Sequence, residues 1–167
     1  MSSTWRKILE EAIRAANKVV VLAAGNPDKG DDGAGPACAA ALRRRQAERS
    51  NETVLIIDGR ETPESQTGRI RRFGPELTII IDAAIGGRTP GTIFIVEREK
   101  IADEGVSTHT ISLLYLVRYL EESIDSQVIV LGIEPSSLEL GSPMSPEVRQ
   151  AVDEIVSELS LCFGKTS

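Results

Sequence analysis

Five short apolar runs punctuate the chain: "VVVLAA" (19–24), "TVLIID" (53–58), "LTIIID" (77–82), "GTIFIVE" (91–97) and "QVIVLGI" (127–133). They are near-continuous rather than alternating, the pattern of strands buried on both faces. The segments between them carry helical spacing instead. Residues 4–17 place Trp5, Ile8, Leu9 and Ile13 on one stripe, with Ser3 or Thr4 as cap. Helices are further predicted over 33–48, over about 109–123 with Ser107 or Thr108 as cap, and over "SPEVRQAVDEIVSELSLCF", with Ser145 as cap and Pro146 in the first turn. Residues 64–74 read as a loop or a short helix. Strands alternating with helices predict an α/β fold, a three-layer α/β/α sandwich on a mostly parallel five-stranded sheet.

One connection breaks the alternation. Only eight residues separate Asp82 from Gly91, fewer than the ~10–12 that a crossover to a parallel neighbour needs. The fourth strand is therefore expected to be antiparallel and at an edge. It runs away from the carboxyl ends of the other strands, and residues 98–107 can bring the chain back.

In such a sheet the crevice beyond the carboxyl ends of the strands is the usual binding site. The first strand leads into "GNPDKGDDGAG" (25–35) with Asp28, Asp31 and Asp32; the second ends on Asp58 and the third on Asp82. His109, the one histidine of the chain, opens a helix that must descend to the start of the fifth strand, so it belongs at the same edge. A glycine-flanked loop between strand and helix often cradles phosphate, but carboxylates at that helix start repel one. Asp31 is expected to cap the helix. Asp32, one place further in, need not cap anything and suits a cation or acid–base work. Asp58 reads as a turn former, and Asp82 as turn former and ligand equally. Two carboxylates and an imidazole suit a divalent first-row ion with open positions. Without a thiolate the site is weak and exchangeable, and no permanent metal is expected.

Composition narrows the picture. The 167 residues suit one domain with one core, with residues 1–17 as an additional N-terminal helix. A net charge of −6 argues against a nucleic-acid or anionic membrane partner. The basic cluster "LRRRQAER" (42–49) reads as the solvated end of a helix. No apolar run approaches the ~20 residues of a membrane span, and no secretory leader is evident, so a cytoplasmic protein is expected. The two cysteines, Cys38 and Cys162, fall in separate predicted helices without metal-like spacing and read as buried free thiols.

The segments "VLAAGNPDKGDDGAGP", "IIDGRETPE", "IIIDAA…PGTIFIVE", "STHTISLLYL" and "VLGIEP…LGSPMSPEVRQAV" resemble, in order and spacing, the hydrogenase maturation endopeptidases, in particular the formate-hydrogenlyase-type branch. The resemblance spans about residues 18–163. It implies a cytoplasmic endopeptidase that removes a C-terminal extension from the precursor of a [NiFe] hydrogenase large subunit after nickel insertion. It implies further that Asp32, Asp82 and His109 meet nickel supplied by the substrate; Asp32 and Asp82 are the candidate catalytic residues, and either could hold the role of base or of metal ligand. Gly25, Asn26, Asp58 and Gly59 are assigned to contact the substrate, and a monomer is expected. Two positions depart from the family pattern: Ala24 and Arg60 stand where glycines are usual. No Ser/His/Asp set or reactive cysteine is evident, which leaves a carboxylate acting as base on water, or nickel activating it. Two rival readings use the same features. One is a nucleotide-binding domain, which the missing G-x-G-x-x-G spacing disfavours. The other is a non-catalytic nickel-reading docking or chaperone protein, which would bind the precursor and leave its tail intact.

Overall fold

The computed structural model of the protein describes residues 3–47, 51–103 and 110–165. Its five strands are β1 (Val19–Ala23), β2 (Val54–Asp58), β3 (Leu77–Ala83), β4 (Ile93–Ile95) and β5 (Gln127–Ile133). The helices are α1 (Thr4–Ala15), α2 (Ala34–Ala47), α3 (Thr67–Phe73), α4 (Arg98–Asp103), α5 (Thr110–Ser123) and α6 (Pro146–Lys165). The strand order is β2-β1-β3-β5-β4. β1, β2, β3 and β5 are parallel, and β4 pairs antiparallel with β5, with Phe94 opposite Gly132. The short span after Asp82 therefore has the predicted consequence, and β4 closes one edge of the sheet.

Alternation along the strands sorts the core into two layers. Val19, Val21, Ile79, Ile81, Leu131 and Ile133 pack with α1, α2 and α6. Val20, Leu22, Ile80 and Val130 pack with Ile70 of α3, Ile101 of α4 and Leu113, Leu116 and Leu120 of α5. The sheet is covered on both faces, which is why its strands read as unbroken apolar runs.

Several boundaries differ from the sequence reading. β4 is three residues long rather than seven, although single backbone bonds continue past it on both sides: the Gly91 amide donates to the Glu134 carbonyl and the Val96 amide to the Val130 carbonyl, each at 2.8 Å, before α4 begins at Arg98. The helix expected from residue 33 starts at Ala34, behind a 3-10 turn over Gly30–Gly33. Residues left between loop and helix form a second 3-10 turn, Pro63–Gln66, leading into α3, which ends on left-handed Gly74 (φ 68°). His109 and the caps expected at Ser107 or Thr108 lie outside the described residues.

Candidate active site

Two backbone crossings build the floor of the crevice. The Ala24 amide donates to the Ile81 carbonyl at 2.9 Å, and the Gly59 amide to the Ala23 carbonyl at 2.8 Å, so the ends of β2, β1 and β3 are stitched together just past the sheet. Gly35 lets α2 rest on this floor: a Cβ there would stand 2.4 Å from the Ala24 carbonyl oxygen and 2.7 Å from that of Ile81. Gly25, at φ 135°, is as tightly enclosed, since a Cβ would fall 1.9 Å from the Asp32 carbonyl oxygen. Gly25 and Gly35 thus set the helix-to-strand distance.

Asp32 is buried, and its Oδ2 accepts the Asn26 amide at 2.8 Å. The Asn26 side chain in turn accepts the Asp28 amide at 2.8 Å and donates to Glu61 at 2.9 Å. Asp82 is wholly buried one residue before the end of β3, opposite Gly132 of β5. It shares the parity of Ile80, so it lies on the side of the sheet covered by α5, whose amino end must sit at this same edge because β5 starts from the opposite one. Asp82 is a strand residue and forms no turn. The structure therefore gathers Asp32, Asp82, Gly25, Asn26 and Gly59 at the carboxyl edge of the sheet. His109, expected with them, falls outside the described residues, and among those described no group of three or more His, Cys, Asp or Glu side chains is arranged to hold a metal.

Asp58 has a local role. Its carboxylate accepts the Arg60 amide at 3.3 Å and faces the Arg60 Nε at 3.5 Å. Arg60 adopts φ 49°, the left-handed conformation that favours the glycine usual there, and its carbonyl accepts the Gly25 amide at 2.8 Å. The ion pair holds a turn whose backbone links β2 to the Asp32 loop.

Asp31 does not cap α2. It sits inside the 3-10 turn, where its buried carboxylate points away from the helix that follows. Its Oδ2 accepts the Ser136 amide at 2.7 Å, the Ser137 amide at 3.2 Å and the Ser145 hydroxyl at 3.0 Å, while Oδ1 accepts the Ser145 amide at 2.7 Å. Sequence reasoning also passed over Glu134. This buried side chain follows β5 and accepts the Gly86 amide at 2.7 Å, fixing the segment that leaves β3 just after Asp82. Its signal was available: it is another acid at a strand's carboxyl end.

Neither thiol can serve as nucleophile. Cys38 is buried in α2 and Cys162 in α6. Burial, helped by the negative charge of Asp153, pushes Cys38 up to about 12. Burial and the neighbouring Glu158 and Glu10 push Cys162 to about 11. Both are protonated at neutral pH, and a thiol attacks as its thiolate.

Comparison with known proteins narrows the remaining classes. The family model described as "HycI: Hydrogenase maturation protease" matches residues 36–160. The chain belongs to the HycI hydrogenase maturation protease family. It is 36% identical over 141 residues to the hydrogenase 3 maturation protease of Escherichia coli K12, covering 84% of this chain and 87% of that protein. The crystal structure of a [NiFe] hydrogenase maturation protease from Thermococcus kodakarensis superposes with a TM-score of 0.85 at 27% identity, covering 94% of this chain and 99% of that one. The solution structure of the Escherichia coli HycI endopeptidase gives 0.72 at 34% identity, covering 86% and 89%. The α/β fold is that of these proteases. The family match begins at Pro36, one residue past the GNPDKGDDGAG loop, so Asp32 is placed by the geometry above rather than by that match. As a maturation protease the chain is a hydrolase, and the nucleotide-binding reading falls away. No helix among the described residues is long and apolar enough to cross a membrane.

Proposed function

We propose that the protein removes a C-terminal extension from the precursor of a [NiFe] hydrogenase large subunit once nickel has been inserted, and that Asp32, Asp82 and His109 meet the nickel carried by that substrate. The observation that carries this reading is the pair of buried carboxylates, Asp32 from the loop after β1 and Asp82 from β3, at one edge of the sheet in a chain of this family. Two carboxylates and an imidazole bind first-row divalent ions through hard and intermediate donors, too weakly to keep nickel against competing ligands. They suffice to complete the coordination of nickel already held by the precursor. Such a site reads whether insertion has occurred and fixes the scissile bond nearby, a positioning effect of the kind that accelerates bond cleavage most.

The hydrolytic water is activated in one of two ways, by Asp32 or Asp82 as general base or by the substrate's nickel as Lewis acid. In the first a carboxylate of this chain takes the water's proton; in the second Asp32 and Asp82 would hold the nickel that polarises it. The loop over 134–144 rises from the end of β5 beside the crevice and contacts the folded precursor, since a short tail offers little surface for recognition. The test is one enzyme preparation against nickel-loaded and nickel-free precursor, with tail release followed by mass. Release from the loaded form alone is expected, and should be lost in Asp82→Ala with circular dichroism unchanged. Equal cleavage of the nickel-free form would reassign Asp32 and Asp82 as an ordinary acid–base pair. Binding of the loaded precursor with the tail left intact would make the protein a docking factor.

A further inference from the structure

The Asp31 carboxylate is heavily engaged. Four bonds converge on it, from Ser136, Ser137 and Ser145, and each crosses from the 3-10 turn beside the crevice to the far loop. The backbone doubles the junction: the Asp31 amide donates to the Ser137 carbonyl at 2.9 Å, and the Gly141 amide to the Asp28 carbonyl at 2.8 Å. Gly30 permits this approach, because a Cβ there would stand 2.6 Å from the Ser137 carbonyl oxygen. Both ends of the 136–145 segment are thus fastened to one side chain, and its middle to Asp28. Between these anchors Leu140 is 71% exposed, carried on a stretch of backbone that is fastened on both sides of it.

We propose that Asp31 is a positioning residue for substrate recognition: its carboxylate holds the 136–145 loop in one conformation so that Leu140 is presented, pre-ordered, to an apolar spot on the folded precursor beside its cleaved tail. This rests on the proposed processing function. A loop ordered before binding loses little freedom on contact, so the clamp tightens the encounter and leaves the chemical step alone. A residue that acts in this way affects KM for the precursor and not kcat. An Asn in place of Asp31 has one acceptor oxygen, and its NH2 group must face either the Ser145 amide or the Ser136 and Ser137 amides, donor against donor, so the clamp is loosened while the side-chain volume is kept.

Steady-state tail release from nickel-loaded precursor tests this. Wild-type release is the control for the function itself, and its failure speaks against that reading and not against the clamp. With the control intact, Asp31→Asn is expected to raise KM at least tenfold with kcat within threefold of wild type. Leu140→Ala should raise KM comparably, and the Asp31→Asn/Leu140→Ala pair should be no worse than the poorer single variant, because both remove one contact. Should Asp31→Asn fail to fold, Ser145→Ala takes its place in the same cycle; it deletes one of the four bonds and should raise KM two- to fivefold. A collapse of kcat at unchanged KM would make Asp31 part of the chemistry. Unchanged kinetics in a folded variant, or fully additive effects with Leu140→Ala, would reduce the clamp to a structural fastening. Any of these three results overturns the proposal.

Discussion

At the scale of the residue, acids of one type do different work at one sheet edge, and their partners tell them apart. Asp58 is bound to its own neighbour, Arg60, through the amide two positions on and the guanidinium. That pairing compensates for a left-handed residue that carries a side chain where glycine is the usual choice. Asp58→Ala should therefore lower stability by about 1 kcal/mol, the usual net worth of such a bond, and leave measurable tail release. Thermal unfolding and precursor processing measured together check this, and an Asp58→Ala protein that is stable but inactive would put Asp58 in the site after all. Asp31, Asp32 and Glu134 show why such distinctions are hard to read in advance. Sequence order placed Asp31 and Asp32 at the carboxyl edge and passed over Glu134, and the groups that engage Asp31 lie 105 to 114 positions away. A local rule, that an acid before a helix caps it, assigns the nearer partner, and tertiary contact overrode it.

At the scale of the element, sheet geometry was legible and loop geometry was not. The antiparallel β4 followed from a length argument, because chain reach is a hard limit. The strands followed from unbroken apolar runs, because both faces of the sheet are covered. The segment "PESQTGRIRRF" gave no clear period, and it folds as a 3-10 turn running into α3, two helices of different pitch. The contact of α2 with the strand ends depends on one absent side chain. Gly35→Ala drives a methyl group against two backbone carbonyls, neither of which can rotate away as a side chain would. The helix must shift off β1 and β3, at a cost of about 3 kcal/mol. Denaturant titration should show a lower midpoint with an unchanged slope, and processing should fall because Asp32 moves with the helix. A Gly35→Ala protein of wild-type stability would mean that α2 is not seated where these distances put it.

At the scale of the whole molecule, the two thiols couple stability to pH. Folding raises Cys38 from 9.0 to about 12 and Cys162 from 9.0 to about 11. In both the native state holds its proton more tightly than the unfolded chain, so this contribution is complete below pH 9.0 and is lost as pH rises through the folded values. Stability should accordingly decline between about pH 9 and 12, and Cys38→Ala should flatten that decline, as chemical denaturation at stepped pH will show. An unaltered alkaline slope in Cys38→Ala would assign the loss to other groups. The fastening at Asp31 has a consequence of another kind, in time. Its partners follow it by 105 to 114 residues, so during synthesis the carboxylate emerges on the order of 5–20 s before anything can bind it. The ends of β1, β2 and β3 can meet while translation continues, but the wall of the crevice cannot. A nascent chain that stops short of Ser145 lacks two of the four bonds to Asp31, so the far end of the 136–145 loop is fastened only when the last fifth of the polypeptide has been made.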